Sequence, residues 1–321
     1  MISRSTLYPP APGARLHSVA ASRPETTVTG AQLGEPFGKD AAWIATRTGI
    51  RALRRLAPDE TLVSHAVDAG GKAIAEAALA PDQIDLLITA TCSSNARPGA
   101  TLGEQVADRL GVRARVMDVN AACAGFTYAL AAADAQVRSG EAQHVLIIAA
   151  EQMSRILDPS DLGTSIIFGD GAAAAVVGAC DEPGIGPTVW GSAGESRELI
   201  ATQDCRLRMR GSEVFRWAVE LSPQLVTAAC ERAGVSTREL DVLVLHQANL
   251  RIIDAAVRHL DLRDDVVIAR DVIDSGNTSA ASVPIALDAL RRRGDVPGDA
   301  LALLAGFGAG LAYAAQVVRL P

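Results

Sequence analysis

The feature that most constrains the fold of this chain is a set of landmarks that recurs in its two halves. Asp85 and Asp241 each open a short apolar run, and they lie 156 positions apart. Gly140 and Gly294 each follow the end of a helical pattern, and they lie 154 positions apart. Because unrelated segments would rarely keep such spacings, the sequence predicts an internal duplication, with two similar halves packed together.

Helical patterns and short apolar runs alternate in each half. In the first half we predict helices over 61–79, 101–110 and 123–138, and strands over 84–91, 114–119, 144–150 and the apolar end of 166–177. In the second half we predict helices over 212–233, 249–260 and 277–293, and strands over 240–246, 266–269, 300–304 and 313–320. This alternation is typical of an α/β protein with a buried sheet. We divide the chain into a loose, proline-rich tail over 1–14, a first half over 15–180 and a second half over 181–321.

Composition narrows the classes of partner. Hydrophobic residues make up 49% of the chain and charged residues 21%, which is normal for a soluble globular protein. A net charge of −7 without a long basic run argues against nucleic acid as a partner. No apolar run approaches the ~20 residues of a membrane span and no secretory signal is evident, so we expect a cytoplasmic protein without membrane contact. Five widely spaced cysteines without a CxxC pair predict reduced thiols, with neither a metal site nor a cofactor.

Cys123 is the first candidate for chemistry. It follows a predicted strand and opens a predicted helix, within the small-residue segment NAACAG over 120–125. The positive end of a helix dipole can lower the pKa of a thiol from ~8.5 towards neutrality, which yields a thiolate nucleophile. The alternative is a buried structural cysteine.

His246 and Asn277 are the second and third candidates. His246 ends a predicted strand, and Asn277 stands at the start of a helix, 154 positions after Cys123. In α/β sheets, ligands bind beyond the carboxyl ends of the strands, so we expect all three side chains at one edge. Taken singly, His246 could be a hydrogen-bonded rim histidine and Asn277 a plain helix N-cap.

Together, these three residue types fit acyl transfer from a thioester. A cysteine can carry the acyl group, while a neutral histidine and an asparagine both donate hydrogen bonds to one carbonyl oxygen. Those donors would stabilise the enolate that forms when a malonyl thioester loses CO₂. A cysteine hydrolase would instead use the histidine as a base and the asparagine to orient it, and spacing alone leaves both arrangements open.

Six segments, in order, make the chain resemble ketoacyl-ACP synthase III, the initiating condensing enzyme of the thiolase superfamily. They are WIATRTGIR at 43–51, DVNAACAGF at 118–126, FGDG at 168–171, HQANLRII at 246–253, GNTSAAS at 276–282 and GFGAG at 306–310. The resemblance implies a thiolase-like, five-layered α-β-α-β-α fold built from two duplicated halves, usually in a homodimer. It implies Cys123 as the acyl carrier, with His246 and Asn277 as the decarboxylation pair. It also implies an oxyanion hole made by the backbone N–H groups of Cys123 and Ala309.

The same resemblance assigns binding roles to further residues. Those implied to bind pantetheine and substrate are Trp43, Arg47, Asn249 and Phe307. Those implied to face the acidic acyl carrier protein are Arg216, Arg251 and Arg258. In the family, the loop that here contains Arg97 reaches into the acyl pocket of the dimer partner, where Arg97 could pair with a polar acyl group.

Two departures from the family pattern bear on the substrate. Leu162 stands where the family usually has an arginine that stacks against the CoA adenine. Its absence makes CoA recognition less secure and makes an ACP-bound primer more plausible. The segment over 194–212 is shorter than usual, which predicts a wider acyl pocket. These departures suggest a specialised pathway, such as the priming of a polyketide.

The resulting prediction is an acyltransferase that condenses an acyl-CoA or acyl-ACP primer with malonyl-ACP in fatty-acid or polyketide biosynthesis. An alternative of the same fold would pass the acyl group to a non-malonyl acceptor, but simple acyl transfer has no need of Asn277. The other alternative is a non-catalytic subunit that binds acyl-ACP, and the presence of Cys123 argues against it.

Overall fold

A computed structural model describes residues 13–94 and 99–321, apart from the side chains of 195–197. The strands of this part of the chain are β1 (Gly13–Ser22), β2 (Thr27–Thr29), β3 (Ala52–Arg54), β4 (Leu86–Ala90), β5 (Arg115–Val119), β6 (His144–Gln152), β7 (Asp170–Cys180), β8 (Val189–Gly191), β9 (Ile200–Gln203), β10 (Arg206–Met209), β11 (Val242–Leu245), β12 (Val267–Ile268), β13 (Leu301–Phe307) and β14 (Tyr313–Arg319). Its α-helices are α1 (Gly30–Gly34), α2 (Ala41–Thr48), α3 (Leu62–Glu76), α4 (Leu102–Leu110), α5 (Gly125–Arg138), α6 (Leu162–Ser165), α7 (Gly211–Ala233), α8 (Leu250–Val257), α9 (Val272–Ser275) and α10 (Ser282–Arg293).

Two five-stranded sheets repeat each other strand for strand. Their orders are β1-β7-β6-β4-β5 and β8-β14-β13-β11-β12. In the first sheet, β4 runs parallel to β5 and β6, while β7 runs antiparallel to its neighbours. In the second, β11 runs parallel to β12 and β13, while β14 runs antiparallel to its neighbours. The shared order and strand directions confirm the predicted duplication.

The two aspartates that marked the duplication perform the same task in each half. Asp85 precedes β4, and its Oδ2 accepts a hydrogen bond from the N–H of His144 at 3.0 Å. Asp241 precedes β11, and its Oδ2 accepts from the N–H of Leu301 at 2.8 Å. His144 and Leu301 are the first residues of the adjacent parallel strands β6 and β13. Each carboxylate therefore satisfies an amide at the start of a strand, where the ladder supplies no partner.

The sheets and helices form five layers, as the predicted fold requires. Helices α5 and α10 lie between the two sheets and contribute to one apolar cluster with both of them. Helices α3 and α4 cover the outer face of the first sheet, and α7 and α8 cover the outer face of the second. Because both faces of each sheet are covered, the central strands are buried along nearly all of their length and are mostly apolar rather than alternating.

The N-terminal boundary differs from the prediction. Gly13 and Ala14, assigned to the loose tail, are the first residues of β1 and pair with Cys180 and Ala179 of β7. The rest of the assigned tail, 1–12, lies outside the described residues. The whole of β1 was missed because prolines precede it, a glycine begins it and its fully buried end shows no alternation.

The short segment over 194–212 contains a hairpin that the sequence did not indicate. Strands β9 and β10 pair antiparallel, with Ile200 opposite Met209. Leu207 of β10 is buried in an apolar cluster with Met153 and Phe168 of the first half. The hairpin therefore belongs to the second half in sequence but packs against the first. Among the described helices, none combines the length and apolarity needed to cross a membrane.

Candidate active site

The site is built on two turns of the same backbone shape, one from each half. In the first, the side-chain Oδ1 of Asn120 accepts from the N–H of Ala122 at 3.2 Å, and Ala122 has a left-handed φ of 47°. In the second, Oδ1 of Asn277 accepts from the N–H of Ser279 at 2.8 Å, and Ser279 has a φ of 49°. A 3₁₀ turn and then a helix follow in both cases.

This geometry corrects one detail of the predicted duplication. Asn277 is the counterpart of Asn120, 157 positions earlier, rather than of Cys123. Cys123 follows the left-handed residue of its turn and corresponds to Ala280, which follows Ser279. The helices also begin later than predicted, at Gly125 and Ser282, because the residues before them form the 3₁₀ turns.

The two turns lie against each other and open into one cavity. A Cβ placed on Gly125 would lie 3.1 Å from the Cβ of Ala280, so the turns are in close contact and a larger residue would require the neighbouring turn to shift. Cys123, His246 and Asn277 all line a cavity of about 530 Å³. The structure therefore brings together the three residues that the sequence selected for chemistry.

The backbone of the GFGAG segment closes over the Cys123 sulfur. A Cβ on Gly308 would lie 2.6 Å from the Cβ and 2.9 Å from the Sγ of Cys123, so no other residue fits there without displacement. The backbone N–H groups of Cys123 and Ala309 both donate towards the sulfur. Ala309 has no left-handed φ, so alanine fits at this position without backbone strain.

The expectation of an acidic thiol at Cys123 is wrong. Burial raises the pKa of Cys123 to about 12, and the negative charge of Glu151 acts in the same direction. The backbone N–H groups and the Ser279 hydroxyl lower this pKa, but they do not compensate for the loss of water. Desolvation of the charged form outweighs the helix N-terminus here.

His246 is a buried, neutral imidazole. Burial lowers the pKa of His246 to about 3. Its Nδ1 lies 2.6 Å from the Ser282 hydroxyl oxygen, which also accepts from the N–H of Gln247 at 3.4 Å. With its oxygen accepting from that amide, Ser282 can give its own proton to Nδ1. The imidazole then carries its proton on Nε2 and is a hydrogen-bond donor towards the cavity.

Asn277 is fixed as a second donor. Its Oδ1 accepts from Ser279 in the turn, which leaves Nδ2 free to donate. Its backbone is held by the first half: the N–H of Asn277 donates to the carbonyl of Ile167, and the N–H of Gly169 donates to the carbonyl of Asn277, both at 2.9 Å. Gly169 of the FGDG segment is therefore one of the residues that hold the Asn277 backbone in place. The hydrogen-bond partner of His246 is Ser282 rather than Asn277, which disfavours the cysteine-hydrolase arrangement.

All four side chains that the resemblance assigned to substrate binding line the cavity. Trp43, Arg47 and Asn249 are partly or largely exposed and stand at its mouth, whereas Phe307 is buried and its ring lies 5.3 Å from that of His246. The Arg47 guanidinium lies 5.4 Å from the centre of the Trp43 ring. Lys39, which the sequence analysis missed, lies 5.1 Å from the same ring. The lysine is four residues before the tryptophan, a spacing that would place both near one end of α2.

Leu162, the first of the two departures from the family pattern, also lies at the cavity mouth. It is the first residue of α6 and packs in the same apolar cluster as Trp43. At this one position the side chain is apolar where the family pattern has a guanidinium, although Arg47 and Lys39 lie near the indole.

The inner end of the cavity is apolar. Its lining comes from both halves and was not identified from the sequence, because the residues are far apart along the chain. The apolar side chains concerned include Met153, Phe168, Ile200, Leu207 and Met209.

Three polar groups near Cys123 were also missed. Cys92 lines the cavity, and its Sγ donates to Oε1 of Glu151 at 3.3 Å. Ser279 lines the cavity and its Oγ lies 3.4 Å from Cys92 Sγ. Glu151 is fully buried at the end of β6, and burial raises its pKa. A glutamate after the six-residue apolar run over 145–150 was the one signal in the sequence that could have found it.

Arg216, Arg251 and Arg258, assigned to the carrier protein, are exposed on or beside α7 and α8. Among the described residues none of the three forms an ion pair. Arg251 lines the cavity mouth, with its guanidinium 5.3 Å from the centre of the Phe215 ring. Arg97 lies outside the described residues.

Comparison with known proteins gives a consistent result. Two family models match, 3-oxoacyl-[acyl-carrier-protein] synthase III over 117–194 and its C-terminal domain over 230–320. A beta-ketoacyl-[acyl-carrier-protein] synthase III of Streptomyces coelicolor is 42% identical over 315 residues, covering 96% of this chain and 99% of that protein. The synthase III of Mycobacteroides abscessus is 45% identical over 323 residues, covering 95% and 94%.

Solved structures agree. The priming β-ketosynthase of the R1128 polyketide biosynthetic pathway superposes with a TM-score of 0.94 and 41% identity, covering 99% of each chain. The 3-oxoacyl-[acyl-carrier-protein] synthase III of Aquifex aeolicus superposes with a TM-score of 0.91 and 34% identity, covering 96% of this chain and all of that one.

Proposed function

The chain belongs to the 3-oxoacyl-[acyl-carrier-protein] synthase III family of condensing enzymes, and we propose that Cys123 carries its acyl primer while His246 and Asn277 drive the decarboxylation of malonyl-ACP. The observation that supports this assignment most directly is the cavity itself. Its lining includes the Cys123 thiol from the first half together with the neutral imidazole of His246 and the carboxamide of Asn277 from the second.

In the first half-reaction, the Cys123 sulfur attacks the carbonyl carbon of the primer thioester. A carbon–sulfur bond forms, and the carbonyl oxygen becomes an oxyanion that the N–H groups of Cys123 and Ala309 stabilise. The bond between that carbon and the carrier sulfur then breaks, and the carrier leaves as a thiol. The proton that Cys123 loses balances the one that the carrier thiol gains, with exchange through water.

In the second half-reaction, malonyl-ACP enters the same cavity. Its carbon–carboxylate bond breaks, CO₂ leaves, and the electron pair forms an enolate whose oxygen accepts from Nε2–H of His246 and Nδ2–H of Asn277. The enolate carbon attacks the acyl carbon on Cys123, a carbon–carbon bond forms, and the electron pair of the broken carbon–sulfur bond returns to the sulfur. Both donors are neutral, so neither needs to gain or lose a proton.

The primer has to fit an apolar pocket. The lining by Met153, Phe168, Leu207 and Met209 favours a hydrocarbon acyl group over a charged one. Leu162 beside Trp43 favours a carrier-bound primer, because a pantetheine arm has no adenine to stack there. The similarity to a polyketide-priming ketosynthase supports a priming role in a specialised pathway.

Arg216, Arg251 and Arg258 are proposed to dock the acyl carrier protein. All three are exposed, and Arg251 lines the cavity, so they would place positive charge on the side from which an acidic carrier delivers its pantetheine arm.

The five cysteines are free thiols, which supports the proposed cytoplasmic location.

A homodimer is proposed through the edge of the first sheet. Strand β5 pairs only with β4 among the described strands, and Met117 at its centre is 36% exposed. An exposed edge of this length is a template for pairing with another strand. The corresponding edge strand of the second sheet, β12, has two residues and offers no such template.

The assignment is tested by measuring the intact mass of the protein after incubation with a panel of acyl-CoA and acyl-ACP donors. Wild type should gain one acyl group, mapped to Cys123, and Cys123→Ser should gain none, because an unactivated hydroxyl is a poorer nucleophile. Cys230→Ser removes a buried thiol away from the cavity and is the matched control. An adduct on Cys92, Cys180, Cys205 or Cys230 would contradict the assignment.

A further inference from the structure

The segment that holds the Asn277 backbone is itself held from its other side. Residues 166–169, called the connection below, join α6 to β7 and belong to neither element. Phe168 pairs with Asn277 as a parallel bridge, in which Ile167 and Gly169 make the hydrogen bonds to the Asn277 backbone. In such a bridge the carbonyl of Phe168 points away from Asn277. Because Phe168 is buried, this carbonyl needs a donor from elsewhere in the fold.

Arg55, the residue that follows β3, supplies that donor. Its Nη1 donates to the carbonyl of Phe168, and its Nη2 donates to the carbonyl of Ser165, the last residue of α6, at 3.4 Å. The Arg55 side chain is only 17% exposed. The guanidinium therefore holds the connection on one side, while the Asn277 backbone pairs with it on the other.

The neighbouring carboxylate does not account for this arginine. Asp170 lies 3.8 Å from the guanidinium, which is beyond hydrogen-bond distance. Its carboxylate already accepts from the N–H of Leu56 at 3.1 Å, and from the N–H and hydroxyl of Ser154 at 2.9 and 2.7 Å. Burial lowers the pKa of Arg55, because the loss of water disfavours the charged form, and Asp170 opposes this effect. The donors of this buried cation are directed at the two carbonyls.

The packing around the connection leaves Asn277 little freedom to move independently. A Cβ on Gly169 would lie 2.2 Å from the carbonyl oxygen of Ser275. A Cβ on Gly276 would lie 2.1 Å from Cδ2 of Leu53, in β3. The connection, the residues before Asn277 and β3 are therefore in direct contact. A displacement of the connection would be transmitted to the Asn277 backbone, because a close-packed interior has no void to absorb it.

We propose that Arg55 is a positioning residue for malonyl decarboxylation: its hydrogen bonds fix the connection, and the connection fixes the backbone from which the Asn277 carboxamide reaches the enolate oxygen. The inference rests on the proposed function and deepens it, because it adds a residue that acts through Asn277. Arg55 does not line the cavity, and no bond to it is made or broken. A reacting or stabilising group that is misplaced by about 1 Å can lose on the order of 10²-fold in rate.

The preceding residue provides a matched control. The Arg54 guanidinium donates to the carbonyls of Pro24 and Glu25, at 3.4 and 3.2 Å, in the segment before β2. Arg55→Lys and Arg54→Lys both keep a positive charge but remove the paired donors of a guanidinium. Single-turnover decarboxylation of malonyl-ACP should fall about tenfold in Arg55→Lys and stay within about twofold of wild type in Arg54→Lys.

Primer loading is measured on the same variants with an acetyl donor, whose short acyl group makes the smallest demand on the pocket. It should stay within about twofold of wild type in both, because the connection makes no hydrogen bond to Cys123 or Ala309. Arg55→Gln is the second variant at this position. It is neutral and keeps one amide as a donor, so it should give the same pattern where lysine is not tolerated.

Double variants show whether Arg55 acts through Asn277. Arg55→Lys should cause no further loss of decarboxylation in an Asn277→Ala enzyme, because the group that it positions is already absent. In a His246→Ala enzyme it should still cause a loss of about tenfold, because Asn277 remains to be misplaced. A general loss of stability would lower the rate in both backgrounds.

The remaining outcomes overturn the proposal. Unchanged decarboxylation in both Arg55 variants shows that the connection holds Asn277 without the guanidinium. Equal further losses in the two backgrounds show that Arg55 acts on the whole site. Loss of primer loading together with decarboxylation in both Arg55 variants shows a role in the fold alone. Failure of the proposed function is distinct, since Asn277→Ala would then decarboxylate malonyl-ACP at the wild-type rate, whatever the Arg55 variants do.

Discussion

The turns at Asn120–Cys123 and Asn277–Ala280 share a backbone but not a chemistry. Both start with an asparagine that caps a left-handed residue, and both lead through a 3₁₀ turn into a central helix. In the proposed reaction, the first turn supplies the nucleophile Cys123 after its left-handed residue, and the second supplies Asn277 itself as a hydrogen-bond donor into the cavity. The duplicated backbone places the residues, and the proposed chemistry depends on the few positions at which the two turns carry different side chains.

The ends of the equivalent strands β4 and β11 show the same difference between the two halves. With the spacing of Asp85 and Asp241, the counterpart of His246 is Ala90, a buried residue at the end of β4. One half therefore offers a small side chain where the other offers an imidazole. An active site can arise between two similar halves because their equivalent edges meet and can diverge independently.

The largest effect is predicted at the close contact between Cys123 in the first turn and Gly308 in the second half. Gly308→Ala places a methyl group against Cys123 and forces Ala309 away from the sulfur. Loss of one oxyanion donor typically costs 10²–10³ in rate, so primer loading should fall on the order of 10²–10³-fold. Single-turnover acylation measures this. Ala309→Gly, which keeps the backbone N–H, should load primer at nearly the wild-type rate; a similar loss in both variants would contradict a backbone oxyanion hole.

The asparagines of the two turns can be compared directly. Asn277→Ala should reduce malonyl-ACP decarboxylation on the order of 10²–10³-fold while primer loading remains. Asn120→Ala removes the same turn hydrogen bond, to Ala122, without removing a donor from the cavity. It should change decarboxylation by less than about threefold, as expected for one exposed hydrogen bond. Equal losses in the two variants would show that the asparagine is structural in both halves.

A smaller effect is expected at the part of the mouth built by the first half. Leu162→Arg should add a cation beside Trp43 and lower the KM for acyl-CoA between about twofold and thirtyfold, the range of a cation–π contact. The KM for the same acyl group on pantetheine or ACP should not change. Leu162→Met keeps the site apolar and is the control. A wild-type enzyme that strongly prefers acyl-CoA over acyl-pantetheine would contradict the role given to Leu162.

Each half contributes an arginine stacked near an aromatic ring to the cavity mouth. The pair is Arg47 and Trp43 in the first half, and Arg251 and Phe215 in the second. Arg251→Glu should raise the KM for malonyl-ACP a few-fold and leave kcat unchanged, because it repels an acidic carrier. Added salt should weaken the wild-type interaction by screening. Arg113→Glu changes an exposed charge just before β5 and should leave the KM unaltered. If both reversals act equally, net charge rather than a docking site is responsible.

The last prediction is that the rate of decarboxylation does not change with pH. Because burial lowers the pKa of His246 to about 3, the imidazole stays neutral at every pH well above 3. An ordinary histidine would become charged as the pH falls through about 6.5. Single-turnover decarboxylation by wild type should therefore be level between pH 8 and about pH 5. A rate that falls with a midpoint near 6.5 would show that the imidazole titrates normally.

Much of this protein could be predicted from local patterns in the sequence. The alternation of helices and strands, the recurrence of Asp85 and Asp241, and the identity of Cys123, His246 and Asn277 all rest on short segments. Such features follow from backbone periodicity and from residue types suited to a given chemistry. The structure places the three side chains around one cavity, at the edge where the halves meet.

Only the tertiary structure decided the environment of these residues. The pKa of Cys123 depends on burial by the second half, and Glu151 meets the turn at Ala280 across 129 positions of sequence. The true counterpart of Asn277 became visible only once the turns could be compared as backbones. Periodicity reports which face of an element is buried, whereas desolvation and hydrogen bonding depend on which distant groups meet there. For that reason the sequence determined which side chains are candidates for the reaction, and the packing of the two halves determined their burial, pKa values and hydrogen bonds.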